Sequence, residues 1–548
     1  MKEDSYLPDI ILFNGRFHTL DPKNPASEAL AVKAGRIVAI GTSHEIKALA
    51  GSHTRKNNLG GRTVLPGMMD SHFHFYTWAM GRRDLDLSDA VSLEDTLGRV
   101  SRASKERLPG KWILGQGWNE SDWPRHAMPA RDDLDAVAPN HPVALWRCDL
   151  HLVSANSEAL RLAGIDDRTP NPPDGVIEKD ASGRLTGILR ELAPNLIKAV
   201  IPEPGGDEVV ESMGAGIAQL HTLGLTGVHD TRLMGGLEGP SAFRAWQLLN
   251  EQGALEMRCW VSLPGERLEE ITSLGLRTGM GDDRLRIGHL KFFADGGMGA
   301  RTAWVLEPYL DAECGMPMGS MEALSRQIGK AERAGLAVMV HAIGDRANRE
   351  VITVFENLER SRTEAASSAY AVPVVPHRIE HAQFIRSEDI RRLAGINMAV
   401  CVQPHNMILD INMIDECVGP LGRWTYPYKE MIDAGVPIIL SSDAPVCDPS
   451  PLVGIHAAVS RQRRDGTPAG GWYPAQRITV EEAVRGYTSV PAAFYGRSRD
   501  LGTLSVGKFG DLVVLDRDIF AVDPMEILET QVMMTVFDGR IVYRSDAF

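Results

Sequence analysis

No C-x-x-C pair occurs among the six cysteines of this 548-residue chain, Cys148, Cys259, Cys314, Cys401, Cys417 and Cys447. Scattered in this way, they do not frame a secreted disulfide scaffold. They read as reduced, mostly buried thiols of an intracellular, cytoplasmic protein. No run of 18 apolar residues is present, so no helical membrane span is expected. The opening MKEDSYLPDIILFNG is acidic and then strand-like, without the basic and apolar regions of a secretory leader. Basic excess is missing too: 58 Lys and Arg face 72 Asp and Glu, a net charge of −14. That balance disfavours nucleic acid or an anionic membrane as a partner, and the basic run RQRRDG at 461–466 reads as a solvated loop. Disorder has no compositional support either, since 43% of residues are apolar and a large core is available.

What is present first is two β-rich ends. DIILFNGRFHTL alternates around Asn-Gly and predicts a hairpin, and ALAVKAGRIVAIG repeats the pattern around Ala-Gly. GTLSVGKFGDLVVLD and VMMTVFDGRIVYR, near the other end, are short strands separated by Gly and Asp turns. Residues 1–64 and 500–548 are therefore expected to form one composite β-sandwich domain built from both termini.

Between them, residues 65–499 alternate apolar runs with amphipathic stretches such as EALSRQIGKAERAG and SEDIRRLAGI, the latter with a Ser cap and an acidic first turn. The runs fall at 63–69, 142–148, 225–230, 285–293, 336–342, 377–383, 397–403 and 436–442. This alternation predicts an α/β fold, a (β/α)8 TIM barrel. Residues 165–205, rich in Pro, Gly and Asp, read as an inserted subdomain after strand two, decorating the catalytic face.

Polar residues recur at the ends of these runs: His72 and His74 after the first, Lys291 in the fourth, His341 in the fifth, His381 in the sixth and Asp443 after the eighth. Catalytic residues of such barrels come from the C-terminal ends of several strands. Side chains two apart on a strand share a face, about 6.6 Å apart along it, so His72 and His74 can converge on one ion. Read locally, they can equally be two histidines of a polar loop. His341 and His381, taken singly, can be structural histidines. Lys291 shares a strand face with His289 and Ile287. An inward-facing lysine is desolvated towards its neutral amine, which can take up carbon dioxide as a carbamate; the alternative is a surface lysine or an ion pair with Asp295. Asp443 can be a metal ligand and proton acceptor or a turn residue.

Taken together, these positions resemble the amidohydrolase superfamily, in which H-x-H comes from strand one, a carboxylated lysine from strand four, histidines from strands five and six, and aspartate from strand eight. LPGMMDSHFHF is similar to the superfamily's opening motif, and LGTLSVGKFGDLVVLD to its C-terminal one. GQGWNESDWP, DLHLVSANSEAL, KFFADGGMGARTA, HAIGDRANR, RIEHAQ and SSDAPV resemble the branch that contains N-substituted formamide deformylases. Two positions depart from that branch, Leu150 where Gly is usual and Gly297 where Ser is usual; they bear on the substrate more than on the mechanism.

The resemblance implies a metal-dependent hydrolase with two zinc ions about 3.5–4 Å apart. His72, His74 and Asp443 would hold one ion, His341 and His381 the other, and carboxylated Lys291 would bridge them. It implies metal-activated hydroxide attacking a carbonyl, with Asp443 as general base and then acid. The expected substrate is a small N-acyl or N-formyl amine. A cyclic amide, lactone, ester or carbamate is the alternative on the same scaffold, and a non-catalytic binding protein is a third class. Trp118, Asn119, Trp123 and His151 are candidate substrate contacts, the tryptophans equally fit for core packing. Asp230 and Arg301 can orient substrate or make ion pairs. Glu178 lies in the expected insertion with little claim to a site role. Family analogy alone suggests a homodimer.

Overall fold

The computed structural model describes residues 7–233, 238–364 and 373–548, so the first six residues of the acidic opening lie outside it. Eight parallel strands form the central sheet: β1 (Met68–Phe73), β2 (Leu225–Asp230), β3 (Arg258–Pro264), β4 (Leu285–Phe293), β5 (Val338–Ala342), β6 (His377–His381), β7 (Met398–Val402) and β8 (Ile438–Leu440). Each pairs with its neighbour in chain order. Every residue of β5, β6 and β7 is buried, as strands enclosed by helices outside and side chains inside must be.

Among the described residues, β8 and β1 meet without a strand ladder. Instead the Asp443 N–H donates to the His72 carbonyl at 2.9 Å and the His74 N–H to the Ala444 carbonyl at 2.8 Å. The Ser442 N–H reaches both oxygens of the buried Asp70 carboxylate at 3.1 Å. Closure of the barrel thus sets the loop after β8 directly beside the end of β1.

Two parts of the strand reading need correction. The run at 142–148 is not a barrel strand: Val143–Arg147 belongs to a separate six-stranded sheet. A short buried apolar run carries no information about which sheet it joins. The missing barrel strand is β3, where Arg258 and Ser262 interrupt the apolar pattern; both are buried and paired, Arg258 with Asp511 at 2.6 Å and Ser262 with the Arg232 N–H at 2.9 Å. The run at 225–230 is therefore strand two, and the insertion follows strand one. It contains the six strands from Leu85–Asp86 to Leu185–Glu191, far more than residues 165–205.

The composite domain has two sheets. One carries Ile10–Phe13, Ala29–Lys33, Arg36–Gly41 and Arg55–Asn58; in the other, Thr63–Pro66 pairs antiparallel with Leu512–Leu515, joining the two ends of the chain. Ala34 and Gly35 close the expected hairpin with φ of 47° and 77°. The Asn-Gly hairpin does not form: Ile10–Phe13 and Arg16–His18 enter different sheets, and Asn14, at φ 58°, turns the corner between them.

Helices cover the barrel. Met321–Arg333 buries Leu324, Ile328 and Ala331 on one face and is capped by Ser320, whose hydroxyl accepts from Ala323 N–H at 3.2 Å. Ser387 is the first residue of Ser387–Leu393 rather than its cap, a position taken by Arg386. The 461–466 run is also not wholly solvated: Arg461 is fully buried, donating to the carbonyls of Trp472 and Tyr426. All six cysteines are free, and no described helix is long and apolar enough to cross a membrane.

Candidate metal centre

The ends of five barrel strands bring their polar residues to one place. His72 is in β1, and His74 lies just past it as the residue preceding the helix Phe75–Gly81. Their ring centres are 5.4 Å apart. His74 Nε2 is 3.1 Å and His72 Nε2 3.4 Å from Asp443 Oδ1. Lys291 Nζ is 3.5 Å from His72 Nε2. The His381 ring centre lies 4.9 Å from that of His72 and 4.6 Å from that of His341. All six side chains are buried. His381 and Asp443 adopt left-handed backbone conformations, φ 71° and 63°, a strain that concentrates at functional sites.

Each imidazole is anchored through one nitrogen, leaving the other for the centre. His72 Nδ1 meets the buried Glu380 carboxylate, which is itself paired with Arg378 at 2.6 Å. His74 Nδ1 bonds the Thr231 carbonyl at 3.1 Å, His341 Nε2 the Gly296 carbonyl at 3.2 Å and His381 Nδ1 the Gln403 Oε1 at 2.8 Å. Outer acceptors of this kind fix the tautomer and orientation of metal-binding histidines.

Burial, together with the neighbouring Lys291 and other histidines, holds the imidazolium forms of His72, His341 and His381 well below the usual histidine range. These rings are therefore neutral, the form that binds metal. Burial also lowers Lys291 to about 8 against the opposing carboxylates of Glu380 and Asp443. Asp443 Oδ1 is buried and accepts no hydrogen bond. A carboxylate oxygen left without a donor among neutral imidazoles fits a divalent cation, and His72, His381 and Asp443 offer ligand atoms all within 4.8 Å of one another. Asp295 is not the partner of Lys291: it accepts the backbone N–H groups of Trp304, Ile343 and Gly344 at 2.8–2.9 Å.

A cavity opens above this centre, between the barrel mouth and the inserted sheet. Asn119 and His151 line it. Burial pulls the His151 imidazolium down, but Glu191, at 2.7 Å from Nδ1, and Asp149 outweigh it and push its pKa up to about 9. The other four candidate contacts lie elsewhere. Trp118 and Trp123 are buried in the core of the inserted subdomain, donating to the Leu145 and Ala90 carbonyls. Asp230 accepts Phe75 N–H at 3.0 Å and Trp246 Nε1–H at 2.8 Å and pairs with Arg232; it holds the start of the helix Phe75–Gly81. Arg301 pairs with Asp311 at 2.9 Å. Glu178 pairs with Arg190 on the inserted sheet.

The two departing positions have geometric readings. Leu150 sits at φ 61°, a conformation glycine adopts freely and other residues at a cost of roughly 1–2 kcal/mol. A Cβ at Gly297 would lie 3.6 Å from the His151 ring, so glycine leaves that flank of the ring open.

Sequence reasoning missed Glu380, Gln403, Glu191 and Lys198. The first had a signal: Arg378 and Glu380 alternate within HRIEH, and two charges on one face of a barrel strand must be buried and paired. The others come from separate segments and carried none.

A family model described as "Amidohydrolase family" matches residues 57–543. The YtcJ protein of Bacillus subtilis is 32% identical over 97% of this chain and 99% of its own. An N-substituted formamide deformylase of Arthrobacter pascens is 28% identical over 98% of both chains. The crystal structure of an uncharacterized metal-dependent hydrolase from Pyrococcus horikoshii superposes with a TM-score of 0.74 at 28% identity, covering 94% of this chain and 99% of that one.

Proposed function

This chain belongs to the amidohydrolase family, and from that premise we propose that it is a metal-dependent hydrolase that cleaves the carbon–nitrogen bond of an N-formyl or N-acyl amine. The reading rests on one observation above all: four imidazoles, a buried amine and an orphaned carboxylate oxygen converge at the barrel mouth. The Arthrobacter relative, named for N-substituted formamides, supports the choice of bond.

His72, His74, Lys291, His341, His381 and Asp443 would hold divalent metal, and a nitrogen-and-oxygen donor set of this kind suits zinc. When bound, such cations supply Lewis acidity, which polarises a carbonyl and favours ionisation of water. The chain's own residues do the rest. Lys291, fully enclosed, takes up carbon dioxide: its nitrogen bonds the carbon, an amine proton leaves to solvent, and the resulting carbamate offers two oxygens. The Asp443 carboxylate accepts the proton of the attacking water and returns it to the departing nitrogen. His151, held by Glu191 through Nδ1, turns its remaining N–H to the cavity and orients the amide.

The test is metal analysis coupled to a panel of N-formyl and N-acyl amines, cyclic amides and lactones. Near-stoichiometric zinc and turnover of the open-chain amides, both lost on chelation, are expected. Full activity after chelation would sink the metal reading; turnover confined to lactones or cyclic amides would sink the substrate reading.

A further inference from the structure

We propose that the substrate carries a carboxylate on its non-reacting part and that Lys198 binds it. This rests on the amide-hydrolysing reading and narrows it to an anionic substrate class.

Several of the charged groups that line the cavity already have partners. Arg147 is held by Glu120 at 2.9 Å and Asp149 at 2.7 Å, and His151 by Glu191 at 2.7 Å. Asp410 accepts from the Tyr426 hydroxyl and from Gln383 Nε2–H. Lys198, the last residue of the helix Pro194–Lys198, lines the same cavity. Among the described residues it has no hydrogen bond from its ammonium and no ion pair. Its Nζ is 5.9 Å from the centre of the Trp146 ring. The indole N–H of Trp146 is buried and also without an acceptor. Lys198 thus brings to the cavity wall a donor that no oxygen of the described residues meets within hydrogen-bonding distance.

Lys198 is half-buried, and an ammonium drawn partly out of water gains from an arriving counter-charge. Glu238 is the carboxylate whose field reaches Lys198; its Oε1 accepts the Leu233 N–H at 2.7 Å, its Oε2 is buried without a partner, and no ion pair joins it to Lys198. Asn195, on the same helix, adds an amide to the wall, while Pro194 and Leu233 give it apolar surface. One ammonium and one amide suit a carboxylate; a phosphate commonly recruits more donors, arginine above all.

The experiment compares N-benzylformamide with 4-(formamidomethyl)benzoate, a pair differing by one carboxylate, on metal-loaded wild type, Lys198→Met and Lys198→Arg. Wild type should favour the acid by about tenfold or more in kcat/KM, through KM. K198M should bring that ratio towards one, and K198R should retain most of it. A wild type indifferent to the carboxylate, or a ratio unchanged in K198M, overturns the proposal; the latter is what a merely structural Lys198, balanced by the field of Glu238, would give. Calorimetric binding of 4-methylbenzoate supplies an independent arm: weaker binding to K198M supports the subsite, and equal binding overturns it. If no amide is turned over, the hydrolytic reading fails, while calorimetry still decides the role of Lys198.

Discussion

His72 and Glu380 are joined inside the barrel, ring nitrogen to carboxylate, with both side chains completely buried. Glu380 is braced in turn by Arg378, which donates to the Tyr495 hydroxyl at 2.6 Å and the Ser71 carbonyl at 2.8 Å. The orientation of one candidate metal ligand therefore depends on strand six and on a tyrosine more than 400 residues away in sequence.

Glu380→Gln should weaken zinc binding by about 10–100-fold, read by competition with a chelating dye, and excess zinc should recover activity. Unchanged zinc affinity would show that His72 does not need its carboxylate.

Lys291 predicts a pH dependence of metal loading. Burial holds it at about 8, and the neutral amine is the form that adds carbon dioxide. Bicarbonate-dependent zinc loading should therefore rise as pH rises through 8 and fall away below it. A carbamate carbon should appear in carbon-13 spectra with labelled bicarbonate. Lys291→Ala should lack both signals. Loading indifferent to pH and bicarbonate in the wild type would remove the carbamate from the mechanism.

Asp70 closes the barrel seam, and its stability contribution has a definite sign. Burial raises its carboxyl to about 7, above the usual carboxylate range, against hydrogen bonds from Ser442 and His72. The folded state then binds a proton that the unfolded state has released between about pH 4 and 7. Stability from this group is fully present at the acid end of that window and declines as pH rises to 7. Asp70→Asn keeps one acceptor oxygen and should cost about 1–3 kcal/mol while flattening that decline. Urea titrations of both proteins from pH 5 to 8 measure it, and parallel pH profiles would refute it.

Trp118→Ala and Arg301→Ala separate core from contact. Trp118 is fully buried in the inserted sheet, so its truncation should cost about 3–5 kcal/mol. Arg301 pairs with the exposed Asp311 and is not among the residues lining the cavity, so its removal should change stability by less than about 1 kcal/mol and leave KM unaltered. A raised KM in a stable R301A would return that residue to the substrate contacts.

Much of the barrel was legible because its strands are buried on both faces and read as apolar runs between amphipathic helices. β3 was not, because Arg258 and Ser262 find partners only across the fold. Val143–Arg147 was misread because an apolar run fits any buried sheet. The Asn-Gly corner at Asn14 was misread for a related reason: the turn is local, but the sheet each arm joins is not.

The sequence by itself determined which residues can act as ligands. Two histidines at one strand end and a lysine, two histidines and an aspartate at later ones are chemistry written in order along the chain. Tertiary structure alone decided what surrounds them. It set Glu380 against His72 and left Asp443 Oδ1 without a donor. It also laid an inserted sheet over the barrel mouth so that His151 and Lys198 face the same cavity. Ligand identity is a property of single residues at a repeating position, whereas partners, burial and charge balance arise only when segments hundreds of residues apart are packed together.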